Sequence, residues 1–355
     1  MKLLFLVGRE PAYPRNSILA KAFESQDIEL VYCMSSYHSY PARFANAFFK
    51  FLIKVSNDCD AIFIGFLGHP FVPIISKFVK KPILFDAFIS IYDTLCFDRK
   101  VFSPHSLLGK LSFYLDKKSC NVANIVLLDT YSHIDYFSNT FSIRKDKFRR
   151  ILVGADDTIF SPKRSASNDD FFRVLYYGEF NPLHGIEYIV KAAAILKKEN
   201  NIKFTVIGKG REHARIIHMA KNLGTSNIQF IDWAPYKSLP DIIAQSDLGL
   251  GGHFGDSLKS KRVIAGKTYQ MMAMQKPLIL GRNEANKELF SDGENALMVN
   301  HSNEEELADA ILKLKNDDNL RNKIASNAYN IFKNQCSISE IGRQIKSVLN
   351  ELIYV

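Results

Sequence analysis

A glycine-rich segment followed by cations is the part of this 355-residue sequence whose residue types are best suited to chemistry. Four glycines lie within residues 248–255, and two lysines and an arginine follow within residues 259–262. Backbone amides, a helix start near Lys267 and cations are the groups that bind a diphosphate. The candidate contacts are Gly255, Lys261, Arg262 and Lys267, and the alternative is a solvated basic loop.

Two further glycine turns follow short apolar runs. Gly8 and Arg9 follow the first run, and Gly208 and Lys209 follow a run in the second half. Glycine allows close approach of a ligand, and the cations could meet phosphate. Neither turn has the GxGxxG pattern and the chain has no GxxxxGK[ST] pattern, so dinucleotide or ATP binding has no motif support. The alternatives are an ordinary surface turn and a tight strand-to-helix turn.

Short apolar runs that alternate with stretches of helical period must position these turns, a pattern typical of a parallel sheet wrapped by helices. The predicted strands are 2–7, 29–33, 61–64, 82–86, 124–128 and 150–153, then 172–177, 202–207, 228–231, 248–250, 277–280 and 296–299. The pattern predicts the α/β class, with two doubly wound Rossmann-like modules in tandem. Ligands of such sheets bind at the carboxyl ends of the strands, where the glycine turns fall.

The most polar and strand-poor segment marks the expected domain boundary. We expect an N-terminal domain at residues 1–160, a linker at 161–170, a second domain at 171–335 and a final helical segment at 336–355.

The formal charge of +9 admits nucleic acid, an anionic membrane face or an anionic small ligand as partner. Residues 1–160 carry 20 basic and 15 acidic residues, and the remainder carries 26 and 22, so neither half is a basic tail. A nucleic-acid binder concentrates its charge, which makes that class the least favoured. Five cysteines without CxxC spacing argue against a disulfide scaffold or zinc ribbon and favour the cytoplasm. We expect neither a signal peptide nor a transmembrane segment.

The segment from residue 43 to residue 55 has two chemically different helical faces. Phe44, Ala47, Phe48, Phe51, Leu52 and Val55 share one face, and Arg43, Lys50 and Lys54 share another. Such a helix could touch anionic lipid at the inner membrane face, and packing of the apolar face against the sheet is the alternative.

Four segments resemble the family 4 glycosyltransferases. Residues 177–187, 206–210 and 265–279 are similar to the donor-binding half of the family, and residues 153–162 are similar to its step into the interdomain linker. The resemblance spans the second half almost completely and the first half more loosely.

The resemblance implies the GT-B architecture, with two facing Rossmann-like domains and a C-terminal helix that crosses back to the N-terminal domain. It implies a nucleotide-sugar bound mainly by the second domain and transfer with retention, without a metal or other cofactor. A glycan, polyprenol-linked or small-molecule acceptor would bind the first domain.

The residues depart from the family at its phosphate clamp. After Gly178, Glu179 stands where an arginine is expected, and His184 stands where a lysine is expected. Gln270 matches the glutamate that holds the ribose, and Arg262 falls at the first glutamate of the same pair. Residues 265–267 match the Pro-Ser-Lys variant of the family's motif, so the resemblance implies that Lys267 is the best phosphate partner. An adjacent diphosphate would raise the pKa of His184.

The family often places a histidine after its fourth strand, facing the sugar. The polar candidates here are Asp86 and Asp93, which with His184 form the candidate catalytic set. Either carboxylate could instead cap a helix or pair with Arg99. The rival to an active hexosyltransferase is a catalytically silent GT-B protein that binds or scaffolds, which the changes at Glu179, Arg262 and Gln270 favour.

Overall fold

The computed structural model describes residues 1–55, 59–163 and 169–354. Its contacts divide the chain into two compact units. Unit 1 comprises Met1–Val153 together with Ile338–Val355, and unit 2 comprises Gly154–Ser337.

Unit 1 is built on a six-stranded parallel sheet of order β2-β1-β3-β4-β5-β6. Its strands are β1 (Lys2–Leu6), β2 (Glu29–Cys33), β3 (Ala61–Ile64), β4 (Ile83–Asp86), β5 (Ile125–Leu128) and β6 (Phe148–Arg150). Its helices are α1 (Pro14–Glu24), α2 (Tyr40–Lys54), α3 (Phe71–Ile75), α4 (Ile91–Asp93), α5 (Leu107–Val122), α6 (Tyr131–Phe141) and α14 (Ile338–Tyr354). A π-helical turn, Thr94–Asp98, continues α4.

Both faces of the unit 1 sheet are covered, because its strands are apolar on both sides. Apolar residues of α2, α3, α5 and α6 pack on one face, and those of α1 and α14 pack on the other. The C-terminal helix therefore returns to the N-terminal sheet, as expected. Glycine at position 342 permits this crossing, since an added Cβ would lie 2.6 Å from the carbonyl oxygen of Ala22 in α1.

Unit 2 has a second six-stranded parallel sheet, of order β12-β11-β10-β7-β8-β9. Its strands are β7 (Phe172–Tyr177), β8 (Ile202–Ile207), β9 (Ile228–Ile231), β10 (Leu248–Gly252), β11 (Leu278–Gly281) and β12 (Leu297–Val299). Its helices are α7 (Ile186–Ile195), α8 (His213–Asn222), α9 (Leu239–Ala244), α10 (Gly266–Ala273), α11 (Glu284–Lys287), α12 (Glu304–Asn316) and α13 (Asp318–Ile331). The predicted α/β class and the two doubly wound modules are confirmed.

Two boundaries differ from those predicted. The unit boundary lies after Val153, not after Phe160, because the Phe160 ring is buried against the Tyr236 ring of unit 2, with centroids 5.4 Å apart. Of the predicted linker at 161–170, residues 164–168 lie outside the described residues. The strand predicted at residues 150–153 lies earlier in the structure, as β6 at Phe148–Arg150. It ends at Arg150 because the next two carbonyls, of Ile151 and Leu152, accept hydrogen bonds from the Arg15 side chain.

The part of the chain that the structure describes contains no helix long and apolar enough to cross a membrane.

Candidate functional site

The turns that end β7 and β8 press directly against each other. A Cβ added to Gly208 would lie 1.9 Å from the carbonyl oxygen of Gly178, and both glycines have positive φ. The Gly178 amide donates to the carbonyl of Ile207, the last residue of β8, at 2.9 Å. Contact with the Gly178 backbone therefore requires glycine at position 208. A Cβ added to Gly178 would instead meet side chains, the Tyr176 hydroxyl at 3.1 Å and Lys267 at 3.2 Å.

A second close contact joins the turn before α7 to the loop after β10. A Cβ on Gly185 would lie 2.2 Å from the Gly255 amide nitrogen, and one on Gly255 would lie 2.0 Å from the Pro182 carbonyl oxygen. The Phe254 amide donates to the His184 carbonyl at 3.2 Å. These backbone contacts bring His184 to the glycine-rich loop at the carboxyl ends of the strands.

Lys267 lies in the first turn of α10 and is buried, with 7% of its surface exposed. Burial lowers the pKa of its ammonium to about 7 because the charged form loses its hydration. The ammonium lies over the Tyr176 ring, 4.7 Å from the centroid, a contact that partly offsets the lost hydration. A buried cation of this kind is a strong binding group for an anion.

Two histidines stand beside Lys267. The Lys267 ammonium donates to His184 Nδ1 at 3.3 Å, and the His184 and His253 ring centroids are 4.9 Å apart. Burial and the nearby Lys267 charge lower the pKa of both imidazoles well below the usual range. His184 is therefore neutral in the unliganded protein and orients the ammonium, instead of supplying a second positive charge.

Two buried polar atoms in this cluster have no hydrogen-bond partner among the described residues. They are the Tyr176 hydroxyl and His253 Nδ1. Buried polar groups in folded proteins are almost always paired, so unpartnered ones at a glycine-lined sheet edge are typical of a site that a ligand completes. Together with Lys267 they form what we call the lysine cluster: Tyr176, His184, His253 and Lys267.

Gln270 lies one turn after Lys267 on α10, and its side chain hydrogen-bonds two tyrosines. The Tyr177 hydroxyl donates to Gln270 Oε1 at 2.8 Å, and Gln270 also hydrogen-bonds Tyr236. Its amide therefore positions the tyrosines of this edge, whereas the sequence predicted that it binds a ribose hydroxyl.

Most of the other predicted donor contacts of unit 2 have partners of their own. Lys209 pairs with Asp232 at 2.7 Å, and Lys261 pairs with Asp256 at 2.6 Å, all of them exposed side chains. Glu179 is also exposed, which permits an anion to bind the buried cluster behind it. Arg262 is half-buried.

Lys259, on the same loop as Lys261, contributes charge to the site. Its charge lowers the pKa of both His184 and His253.

The first glycine turn, in unit 1, serves packing. A Cβ on Gly8 would lie 2.1 Å from the Leu67 carbonyl oxygen. Arg9 pairs with Glu10 at 2.7 Å and hydrogen-bonds the Tyr40 hydroxyl. These contacts favour the alternative of a structural turn over the predicted donor contact.

Asp86 at the end of β4 binds Arg15 and is fully buried. Arg15 donates from Nη2 and Nε to the two carboxylate oxygens at 2.8 and 3.1 Å, and from Nη1 to the carbonyls of Ile151 and Leu152. This bidentate pair joins α1, β4 and the segment after β6. The structure thus gives Asp86 a structural role, in place of the predicted catalytic one.

Asp93, the other carboxylate of the catalytic set, is also buried, with 3% of its surface exposed. Its amide donates to Ser90 Oγ at 2.9 Å. Burial, with a smaller contribution from the Asp93 charge, raises the pKa of the adjacent Asp116. The catalytic role that the sequence suggests for Asp93 stays a prediction.

Helix α2 packs with most of its predicted apolar face against the sheet. Ala47 and Phe51 are buried and Phe44 stacks on Phe71 at 4.1 Å, but Leu52 is exposed.

The three cations of α2 do not form an open basic face. Lys50 and Lys54 donate to the carbonyls of Met34 and Tyr32 at 2.8 and 2.9 Å. Arg43 is buried and pairs with Glu10 at 2.7 Å. This helix therefore follows the alternative of packing on the sheet.

The sequence analysis missed Tyr176 and His253. Tyr176 stands inside an apolar strand and reads as core, and His253 is one histidine among nine. The signal that could have found His253 was its position directly after Gly251-Gly252, within a loop already expected to bind phosphate.

Comparison with known proteins places this geometry in context. Residues 157–331 match the family model described as "Glycosyl transferases group 1". An uncharacterised glycosyltransferase of Methanocaldococcus jannaschii is 24% identical over 184 residues, which are 51% of this chain and 45% of that protein. The alpha-D-kanosaminyltransferase of Streptomyces kanamyceticus is 25% identical over 187 residues, which are 52% of this chain and 47% of that protein. The chain thus spans about half the length of these curated relatives.

Among solved structures, HepE of Anabaena in complex with UDP has a similar fold, with a TM-score of 0.75. The superposition covers 99% of this chain and 100% of that chain, at 16% sequence identity.

Proposed function

We propose that the chain transfers a sugar from a nucleoside diphosphate, because residues 157–331 match the family model of group 1 glycosyltransferases and the chain has the GT-B fold. Unit 2 would bind the donor. The acceptor would be a glycan, a lipid-linked saccharide or a small molecule. Transfer would retain the anomeric configuration and need no metal. UDP is the first nucleotide to test, because HepE was solved with it.

The lysine cluster carries this proposal. It combines a buried ammonium with two buried, unpartnered polar atoms at the carboxyl edge of the unit 2 sheet, where ligands of open α/β sheets bind. A diphosphate would supply the counter-charge for Lys267 and hydrogen-bond partners for the Tyr176 hydroxyl and His253. One ligand would thus neutralise the buried charge and complete the missing hydrogen bonds.

Each member of the cluster has a role under this proposal. Lys267 would stabilise the negative charge that develops on the diphosphate when the bond to the sugar breaks, and this is the largest contribution such a site can make. His184 would orient the ammonium through its 3.3 Å contact. Positioning of the substrates, instead of a strong general base, would supply the rest of the rate enhancement.

A catalytically silent GT-B protein is the second candidate. Glu179 in place of the clamp arginine and the occupied amide of Gln270 favour it. Such a protein could still bind a nucleotide, so binding and turnover have to be measured separately.

The test compares Lys267→Ala with Lys209→Ala, which removes an exposed lysine paired with Asp232. Binding of UDP, GDP and other nucleotides is measured by calorimetry and thermal shift, and turnover by hydrolysis of the matching nucleotide-sugars. Loss of a charge-assisted contact should weaken nucleotide binding and turnover about tenfold or more in Lys267→Ala, with little change in Lys209→Ala.

Three outcomes decide between the candidates. Equal losses of nucleotide binding and turnover in the two variants would show that Lys267 is not part of the donor site. Nucleotide binding without any donor hydrolysis or transfer would favour the silent protein. No binding of any nucleotide at millimolar concentration would overturn the donor site itself.

A further inference from the structure

Helix α5 of unit 1 carries apolar residues on its outer face as well as on the face towards the sheet. Phe113 and Val122 pack against the core, whereas Leu107, Leu111 and Tyr114 are 82%, 56% and 59% exposed. The buried positions of α5 are small or polar: Gly109, Ser112, Asp116, Ser119 and Cys120. A helix at a protein surface normally places its apolar stripe on the core.

Specific hydrogen bonds hold α5 in this orientation. Asp116 accepts from the Ser90 hydroxyl at 2.6 Å and from the amides of Ile91 and Tyr92 at 3.1 and 2.9 Å. Ser119 donates to the His69 carbonyl at 2.7 Å. Rotating the helix to bury the leucines would break these bonds and leave buried polar groups without hydrogen-bond partners. The hydrogen bonds of Asp116 and Ser119 therefore keep the outer apolar face of α5 towards solvent.

The exposed face forms one continuous stripe edged by cations. Leu107, Leu111 and Tyr114 are spaced at i, i+4 and i+7, so they share one side of the helix, and Lys118 continues the stripe at i+11. Lys110 and Lys117 lie beside it at helical spacing. Residues 99–118 contain five basic residues and one acidic residue, and that residue is the buried Asp116.

We propose that this outer face of α5 docks on an anionic membrane surface. The leucines and Tyr114 would enter the interface between headgroups and acyl chains, and the lysines would contact lipid phosphates. A second copy of the chain fits less well, because a two-fold interface would bring two lysine-edged stripes together. The docking surface comprises Leu107, Leu108, Lys110, Leu111, Tyr114, Lys117 and Lys118. The proposal does not depend on the proposed transferase activity.

Co-sedimentation of the full chain with lipid vesicles tests the proposal. One set of vesicles contains phosphatidylglycerol and phosphatidylcholine, and the other contains phosphatidylcholine alone. We expect binding to the anionic vesicles that weakens with salt, and at least tenfold weaker binding to the neutral ones.

Two double variants with matched controls separate the apolar and charged contributions. Leu107→Ser with Leu111→Ser should weaken binding to anionic vesicles about tenfold or more, whereas Ile195→Ser with Trp233→Ser, at exposed positions of unit 2, should not. Lys110→Gln with Lys118→Gln should weaken it several-fold, and Lys198→Gln with Lys221→Gln much less.

Several results would overturn the proposal: no binding of the wild-type chain to anionic vesicles, equal binding of the leucine variant and its control, or a dimer that the leucine variant abolishes while vesicles are not bound. Nucleotide binding, measured on the same variants, should stay unchanged. Failure of membrane docking is therefore distinguishable from failure of the donor site.

Discussion

Lys267 is a charged side chain that the fold removes from water in the middle of a polar cluster. The ammonium lies against an aromatic face and a neutral imidazole, and these contacts replace only part of its hydration. The unliganded protein therefore bears a destabilising cation that a bound anion would compensate. Sites that bind tightly often have this property, because the binding energy of the ligand offsets a cost already present in the folded chain.

This cost predicts an unusual pH dependence of stability. An unfolded lysine titrates near 10.5, whereas burial lowers the pKa of Lys267 to about 7. The unfolded chain thus binds more protons between these values, so the contribution of Lys267 to the free energy of unfolding becomes more favourable as pH rises from 7 to 10.5. We expect Lys267→Met to be more stable than wild type at pH 7, with the difference shrinking towards pH 10.

Chemical denaturation of wild type and Lys267→Met across this pH range measures the difference, in nucleotide-free buffer. Lys209→Met is the control, because Lys209 is exposed in the wild-type protein and pairs there with Asp232 at the surface. A stability difference between wild type and Lys267→Met that stays constant from pH 7 to pH 10 would contradict the burial of a titrating ammonium.

At the scale of elements, the site is a set of turns held together by backbone contacts. The turns after β7, β8 and β10 meet at glycines, so that no side chain separates them. Short strands of a parallel sheet end at the same edge, and close contact of their turns fixes where the side chains of the lysine cluster stand. The glycines therefore act on the site through packing.

Gly208→Ala tests this role of the turns. The new Cβ would lie 1.9 Å from the Gly178 carbonyl oxygen, in addition to the strain of a positive φ. We expect a loss of about 3 kcal/mol in the free energy of unfolding, together with weaker nucleotide binding. Gly224→Ala is the control, since Gly224 also has a positive φ but has no atom within 4 Å of an added Cβ.

The control should lose only about 1 kcal/mol, from backbone strain alone. Denaturant unfolding and calorimetric titration with UDP measure both variants. If the two variants were equally stable, contact between the turns would not be what requires glycine at position 208.

At the scale of the molecule, the two ends of the chain complete one unit. The last helix, α14, places Ile341, Ile345 and Leu349 in the same apolar cluster as β1 and α1. The first strand therefore lacks part of its core until the last residues of the chain have been made. Unit 2 is continuous in sequence and carries no such dependence.

Ile345→Ala should accordingly destabilise unit 1 alone. Ile345 is fully buried, so its truncation leaves a cavity that costs about 2 to 4 kcal/mol. Hydrogen exchange of the full chain should show faster exchange of amides in β1 and α1 and unchanged exchange in β7 and β8. Ile195→Ala, an exposed position of unit 2, should change neither. Faster exchange throughout both units would contradict the division of the chain.

The alternation of apolar runs with helical stretches was enough to predict eleven of the twelve strands in the described part of the chain to within two residues at either end. Burial on both faces makes such strands nearly continuous in apolar residues, and this signal is local. Strand β6 was misplaced because the carbonyls that follow it bind Arg15, which is about 136 residues away in sequence. No local pattern records a partner at that distance.

The residue types of the sequence determined that unit 2 has glycine turns after its strands and a run of cations from residue 259 to residue 267, because residue identity and spacing are properties of the chain itself. The choice of Lys267 as phosphate partner follows from the resemblance to family 4 glycosyltransferases and stays a prediction. Only the tertiary structure decided which of the cations are buried and which are paired on the surface, as Lys209 and Lys261 are. It also showed that Asp86 binds Arg15, that Tyr176 and His253 stand beside Lys267, and that α5 turns its leucines outward. Burial and pairing arise from contacts between distant segments, and these contacts exist only once the chain has folded.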